Sequence, residues 1–586
     1  MIILGLNYLV HEASAALLVD GEIKAAVEEE RFSRVKFDKT FPREAVRYCL
    51  KVANLSVADL DHVAFSWKPT YFPVGDPHFL CSLMNRVGGD IRGLRSIIRP
   101  CKRHIYMRMK VPVHIRRELG PGKYRIHFVQ HHQAHAASAF YVSGFSEAVA
   151  LSVDGHGEWE GTTIAIADRQ GIRPLRRIYA PHSLGFLYAA ATRHLGFRPM
   201  SDEYKVMGLA SYGKASGQID DLVRLEANGG YRLDLSYCEL DGDFFTGFSQ
   251  KFVRRFGPPR QPNEEITEHH QQFAATVQAL FVKVLCHMGE WAKKQTGFAN
   301  VVVAGGCGLN GPANYALVSE VGFKNIFVQP AASDAGTSLG AAFAVGADQP
   351  GRRSVSTVSP YLGPAFPDEF VEQKLKGYNL CYVRPANFAR AVARLLNEGH
   401  MIGHFNGRME WGPRALGNRS ILADPRQAEM KDKVNKAVKF RESFRPFAPA
   451  VILERAHEFF DMGVSDSPYM TLVVPAKVRA IEAIPAVVHV DGTCRVQTVA
   501  RQQNPLFYDI LSEFGRESGV PILLNTSFNV KNEPIVCTPD DAVRCFFSTG
   551  LDFLAIGSFV VGKSPSALRT LRSVAVEEGV PSLVEN

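Results

Sequence analysis

The stretch Gln130–Phe140, QHHQAHAASAF, holds three histidines, and His131 and His135 stand at i and i+4. On a helix those two rings lie one turn apart on one face, where neutral imidazoles can share one transition metal. Ala134, Ala136, Ala137 and Ala139 favour helix, and Gly144 is a natural stop. The bland alternative is a helix start carrying surface histidines. Asp154, in the polar turn DGHG, and Asp334, in SDAG before a helix, are the natural carboxylate partners. Two His and two Asp suit iron, zinc or manganese; ligand type alone does not select among them. Taken singly, each Asp reads as a turn or cap residue. His11, next to Glu12 in another polar loop, has the chemistry of a general base near neutral pH, or of a residue that merely holds its loop. The C-terminal half interleaves Arg408, Arg414, Arg419, Lys439, Arg441, Arg445 and Arg495 with small residues, followed by Asn525-Thr526-Ser527. Guanidinium forks, a lysine and neutral amide or hydroxyl donors make a site for an acyl phosphate or nucleotide. Arg495, beside the buried-looking strand VQTV, fits a salt-bridged surface poorly.

These residues need elements to position them. Ile2–Asn7 reads as a strand, residues 8–14 as a polar loop, 15–19 as a second strand, Asp20-Gly21 as a hairpin turn and Glu22–Glu28 as a third strand. The pattern recurs at Ala148–Val153, the turn 154–157, then strands at 162–167 and 172–179. Two copies in one chain predict a duplicated architecture, each with a polar loop after its first strand. Residues 271–296 are apolar at helical spacing and predict a core-facing helix. Asn300–Ala304 reads as a buried strand running into the glycine turn Gly305-Gly306-Cys307-Gly308-Leu309-Asn310, a phosphate-approach geometry that glycines alone do not prove. Residues 349–367 are rich in Pro, Gly and Ser and mark a linker, giving domains at 1–350 and 368–586 around a linker at 351–367. Two insertions, 69–123 with its basic stretch 92–103 and 228–262, resist motif reading.

Composition narrows the class. With 586 residues, 46% of them hydrophobic and 22% charged, the chain has core enough for two large domains. The net charge of +8 is spread without a like-charge run, which fits phosphorylated small molecules better than nucleic acid. The ten cysteines include no C-x-x-C, which argues against a zinc ribbon or disulfide framework and for reduced thiols in a cytoplasm. No apolar run approaches the ~18 residues of a membrane span, so no membrane partner is expected.

The blocks GLN-x3-HEASAAL, EEERFSRVK, HHQAHAASAF, SVDGHGEWEGTT, EYKVMGLASYG, AGGCGLN, SDAGTSLGAA, EWGPRALGNRSILADPR, FRPFAPAV, DGTCRVQTV and LLNTSFN, in that order, resemble the ATP-dependent O-carbamoyltransferases of nodulation factors, aminoglycosides and cephalosporins. The resemblance covers nearly the whole chain. It implies an α/β protein with a duplicated actin/Hsp70/sugar-kinase-like N-terminal domain and a C-terminal α/β YrdC-like domain. It implies that the C-terminal domain makes carbamoyl adenylate from carbamoyl phosphate and ATP. The N-terminal domain would then pass the carbamoyl group to a hydroxyl of a small natural product. By position, His131, His135, Asp154 and Asp334 match the family's metal ligands, usually for Fe(II), and His11 matches its proposed base. Lys439, Arg445, Arg495, Asn525 and Ser527 match its carbamoyl-phosphate site; Gly306, Asn310, Glu203 and Lys205 match the nucleotide site of the transfer domain. Magnesium could accompany ATP, and a homodimer is compatible with the resemblance. Two departures are Cys307 in the glycine turn and His11-Glu12 where His-Asp is commoner. Two rivals are a tRNA threonylcarbamoylation-type enzyme, which would want a concentrated basic stripe, and a non-catalytic actin-like scaffold, which would be expected to lose His11 or the metal quartet.

Overall fold

The computed structural model of the chain describes residues 1–73, 76, 79, 91–241, 244–347 and 359–577. The chain divides into two compact units, Met1–Glu29 with Lys39–Val358, and Glu30–Asp38 with Ser359–Asn586.

The first unit carries two five-stranded sheets of the same order. In one, β1 (Ile2–Asn7) pairs antiparallel with β2 (Ser14–Val19), which pairs antiparallel with β3 (Glu22–Glu28). On its other side β1 pairs parallel with β4 (His62–Phe65), and β4 with β5 (Arg125–Phe128). In the other, β6 (Ala148–Val153), β7 (Glu160–Asp168) and β8 (Gly171–Tyr179) form the antiparallel run. Two parallel strands, Asn300–Ala304 and Asn325–Val328, complete it beside β6. The expected three-strand repeat is therefore the first part of a five-strand repeat. β6 is buried along its whole length, as a central strand covered on both faces must be. β8 is an edge strand and accommodates Pro174 and three arginines on a half-exposed run.

Each repeat ends in a helix after its last strand, His131–Phe140 in the first and Thr337–Ala347 in the second. These two helices pack against each other without room for side chains between them: a Cβ on Gly340 would lie 1.8 Å from the Ala134 carbonyl oxygen. The predicted core helix spans Glu268–Thr296, with Gly297 at its C-cap in the left-handed region, φ 71°. This duplicated order is that of the expected actin/Hsp70/sugar-kinase-like class. The basic stretch 92–103 has its backbone in the helix Ile91–Leu119, but its side chains lie outside the described residues.

The second unit is built on one eight-stranded mixed sheet. Its strands run, across the sheet, Tyr382–Val383, Phe559–Gly562, Phe553–Ile556, Ile402–Phe405, Arg419–Ala423, Ile522–Ser527, Ala448–Ile452 and Gln497–Val499. Helices Phe388–Asn397 and Pro505–Ser518 bury Leu395, Leu396, Ile510, Leu511 and Phe514 against it.

The domain division read from composition needs two amendments. Residues 359–367, expected as linker, belong to the second unit, where Gly363 N–H donates to the Met409 carbonyl (2.9 Å) and Leu362 is buried. Residues 351–358 lie outside the described residues. Glu30–Asp38, from the motif EEERFSRVK, also belongs to the second unit. Phe32 packs on Met409, Ile535 and Cys537, Arg31 donates to the Gly412 carbonyl (2.8 Å), and Arg34 to those of Ile535 (2.6 Å) and Pro534 (2.8 Å). No local pattern reveals this, because the contacts span about 380 to 500 positions. Among the described residues no helix is long and apolar enough to cross a membrane.

Candidate functional site

The duplication gathers its own loops in the first unit. His131 and His135 occupy the first and second turns of the helix ending repeat one. Asp334 lies in the turn just before the helix ending repeat two, and Asp154 directly follows β6. All four side chains converge, with one ligand atom from each within 4.8 Å of the others. His131 Nε2 lies 3.2 Å from His135 Nε2, 3.6 Å from Asp154 and 3.4 Å from Asp334. His135 Nε2 lies 3.8 and 3.7 Å from the same two carboxylates. Ligands about 2.0–2.2 Å from a tetrahedral ion stand about 3.3–3.6 Å from one another, so the quartet is spaced for one metal. All four residues are buried, and each isolated charge there would be costly without an ion.

The ligand orientation is fixed from behind. His131 Nδ1 lies 3.1 Å from the Ser66 carbonyl, a contact that puts the proton on Nδ1 and leaves Nε2 its lone pair. The His131 N–H is accepted by Glu158 (3.0 Å), buried at the helix N-terminus and raised to about 7 by its burial and by Glu160. Burial disfavours charge on His131 too, but Asp334 and Asp154 outweigh it and hold its pKa well above the ordinary range. Asp154 is lowered to about 2, where burial opposes and the His131 hydrogen bond prevails. His132 turns instead to Thr163 Oγ1 (2.9 Å) and does not join the quartet.

The loop after β1 is the repeat-one counterpart of the Asp154 turn, and it carries His11 and Glu12. Asn7 holds this loop, donating to the His11 and Glu12 carbonyls at 2.7 and 2.9 Å, while Ser66 Oγ donates to Asn7 (2.9 Å). Ser66 therefore braces both His131 and the His11 loop. Glu12 sits at φ 46°, accepts a hydrogen bond from Ser333 and lies 3.9 Å from His11 Nδ1. Burial lowers the His11 pKa, but the Glu12 carboxylate overrides it and raises it to about 9. Glu12, noted in the sequence only as a departure, thus ties His11 to the turn bearing Asp334.

The residues matched to a nucleotide site are placed less uniformly. The Gly306 N–H donates to Asp154 Oδ1 (2.9 Å), so the glycine turn touches the quartet. Asn310 caps the helix Gly311–Ser319 by accepting from Ala313 N–H (3.2 Å) and exchanges two 2.9 Å hydrogen bonds with Gln278. Glu203 accepts from the Met200 N–H (2.6 Å), and Lys205 pairs with Asp202 (3.1 Å). Asn310, Glu203 and Lys205 are thus engaged in local structure. Burial, with Asp154 next, drives the Cys307 thiol far up, which keeps it an unreactive thiol.

The second unit assembles a basic cluster. Lys439 ends a single π-turn, Asn435–Lys439, and Phe440 beyond it is left-handed at φ 44°. Lys439 Nζ donates to Ser527 O, to Asn529 O (3.1 Å) and to Asn529 Oδ1 (2.9 Å), with Ser527 Oγ at 3.3 Å. Burial lowers its pKa well below the lysine range, and Arg441, Arg445 and Lys36 push the same way. Arg495 is lowered by burial and then by Arg414, Arg441 and Arg445. Its Nε is buried with no hydrogen-bond partner. Asn525 donates to Gln497 (2.8 Å), and its Oδ1 has none. Four arginines and two lysines repelling one another around the unpartnered Arg495 Nε is the electrostatic signature of an anion site. Arg414 and Arg441 are among the basic residues read in the sequence for such a site, whereas Lys36, from the Glu30–Asp38 segment, is not. Arg419 and Arg408 do not belong to it. Arg419, fully buried, donates to the carbonyls of Asn406, Asn418 and Pro364, and Arg408 to that of Leu362.

Comparison with known proteins agrees with the two-part layout. The family description "Carbamoyltransferase N-terminus" matches residues 2–343, and "Carbamoyltransferase C-terminus" matches residues 393–563. Nodulation protein NolNO of Sinorhizobium fredii is 38% identical over 569 residues, covering 95% of this chain and 80% of that protein. Nodulation protein NolO of Bradyrhizobium diazoefficiens is 39% identical over 457 residues, covering 76% and 81%. An uncharacterized protein of Synechocystis is 38% identical over 612 residues, covering 97% of each chain. With both halves matched and relatives above 30% identity along most of its length, the chain belongs to the carbamoyltransferase family and is a carbamoyltransferase enzyme.

Proposed function

We propose that the protein is an ATP-dependent O-carbamoyltransferase that makes a carbamate ester on a hydroxyl of a small natural product. The observation that carries the reading is the convergence of His131, His135, Asp154 and Asp334 beside the His11–Glu12 loop. In the second unit, Arg495, Arg445 and Lys439 would bind carbamoyl phosphate, a small dianion for which clustered guanidinium and ammonium groups are the expected partners. Asn525 and Ser527, matched to the same site by resemblance, here donate to Gln497 and Asn529. Joining the carbamoyl group to adenylate displaces pyrophosphate from ATP. Atom balance then consumes one water and releases the donor's phosphate.

In the first unit, the acceptor hydroxyl oxygen attacks the carbamoyl carbon and AMP leaves. The neutral form of His11 takes the hydroxyl proton and the Glu12 carboxylate stabilises the imidazolium that results, so transfer should rise with pH towards about 9. Gly306 places its turn next to Asp154, where a nucleotide phosphate would approach. His131, His135, Asp154 and Asp334 would hold a divalent ion, Fe(II) by family resemblance. Bound there, the ion supplies positive charge to offset that of the departing phosphate.

The test separates two half-reactions. Pyrophosphate should form from carbamoyl phosphate and ATP without acceptor. Arg495→Ala should abolish that step, while His11→Ala should leave it intact and stop transfer. Equal loss of the first step in both variants would refute the division of labour. A mass-spectrometric screen of hydroxylated metabolites for carbamoyl gain identifies the acceptor.

A further inference from the structure

A second cluster of arginines lies in the first unit, away from the quartet, on the β8 edge. An open cleft is lined by Arg176, Arg177, Tyr179, His182, Glu226 and Arg232, among others. Arg176 is 7% exposed. Its Nη2 donates to Glu226 (2.8 Å), yet its Nε and Nη1 are buried and have no hydrogen-bond partner. Arg177 Nε is likewise buried without one; its carboxylate neighbours Glu160 and Asp76 stand at 3.7 and 4.0 Å, beyond hydrogen-bond reach. Glu226 is the single carboxylate in the wall, and it is already shared between Arg176 and Arg232 Nε (2.7 Å). His182 Nδ1 accepts from the Leu233 N–H (3.2 Å), so its ring proton sits on Nε2 and that atom is a donor.

The cleft wall carries Arg176, Arg177 and Arg232 against Glu226, with Glu160 and Asp76 loosely paired to Arg177, and its unsatisfied atoms among the described residues are all donors. A buried guanidinium N–H left without an acceptor costs more than an ordinary missing hydrogen bond. Planar N–H pairs match the oxygens of phosphate, sulfate or carboxylate groups. A protonated amine would offer these donors no acceptor.

The position gives the cleft a use. Tyr231, also in its wall, reaches the Leu184 N–H (3.1 Å), next to Ser183, which donates to the Asp154 and Gly155 carbonyls at 3.1 and 2.7 Å. The cleft and the quartet are thus joined by one turn of chain. A Cβ on Gly230 would lie 2.6 Å from Glu226 Oε2 and 3.0 Å from Arg176 Nη2, so this turn runs directly against the Arg176–Glu226 pair.

We infer that this cleft is an oxyanion subsite, separate from the basic cluster of the second unit, taking a phosphate, sulfate or carboxylate group. Crystals of the whole wild-type chain soaked in tungstate should give an anomalous peak within hydrogen-bond distance of Arg176 Nε or Nη1; ordered water alone there overturns the inference. In calorimetric titration with inorganic phosphate, Arg176→Met should weaken one class of site about tenfold or more while the class lost in Arg495→Ala survives. Titration of Arg176→Met indistinguishable from wild type would also overturn it. Arg177→Gln, on the half-exposed edge, gives a second variant if Arg176→Met does not fold. The source of the anion follows from inhibition by sulfate at saturating carbamoyl phosphate. Competition with the acceptor means the cleft holds an anionic group of the acceptor, and non-competitive behaviour means it holds a free ion.

Discussion

At the scale of single residues, the quartet and its supports make separable predictions. Asp334→Asn removes the charge that most raises His131, while its shape stays close to that of the native side chain. It should lose bound metal, read by elemental analysis, and lose transfer, with pyrophosphate formation unchanged. Treatment with a chelator should have the same effect on the wild type, reversed by adding back Fe(II). Glu12→Gln keeps the size of the side chain but removes the carboxylate that stabilises charge on His11. It should slow transfer by about 10²-fold or more, the range of a positioned proton acceptor, with metal content intact. A variant that also loses its metal would assign Glu12 to holding the Asp334 turn rather than to proton transfer.

At the scale of elements, the two repeat-ending helices set the distance between histidines and aspartate. They approach closely because Gly340 faces Ala134, so Gly340→Ala should cost about 1–3 kcal/mol or more in denaturant unfolding and pull Asp334 from the quartet. The His131 helix starts on a buried carboxylate, and Glu158→Gln, which keeps an acceptor oxygen, should be milder than Glu158→Leu by about 1 kcal/mol. In the second unit, Lys439 reaches Ser527 and Asn529 from the end of a π-turn, so deleting one residue in Asn435–Lys439 should abolish pyrophosphate formation without moving the sheet.

At the scale of the molecule, the segment Glu30–Asp38 is part of the C-terminal unit. Residues 359–586 expressed alone should melt lower than the same unit with residues 30–38 fused to it, since Arg31 is buried there and the half-buried Phe32 and Arg34 pack and hydrogen-bond into it. Acid should destabilise this unit through His404. Burial lowers its pKa to about 4, below the ~6.5 of an unfolded chain. The unfolded state then binds the proton first. Stability is full above pH 6.5 and falls towards pH 4, by up to about 3 kcal/mol from this residue. His194, lowered to about 4 by burial among Phe248, Phe252 and Phe273, acts in the same direction in the first unit. Urea titrations at pH 7 and pH 5 measure both.

The sequence by itself determined the chemistry available and the repeat. The i, i+4 histidines, the two Asp turns and the strand–loop–hairpin pattern are local signals, because side-chain direction along a helix or strand follows from spacing alone. It did not reveal Glu12 as the partner of both His11 and Ser333, the buried support from Ser66 and Glu158, or Arg419 as a brace for backbone carbonyls. It could not separate Arg419 from Arg495, since both are arginines in apolar runs. Tertiary structure decided those roles, along with the placing of Glu30–Asp38 and the unpartnered donors of Arg176. The physical reason is common to all of them: whether a buried polar group is satisfied depends on atoms brought close by packing, across separations of up to hundreds of residues that no local pattern encodes.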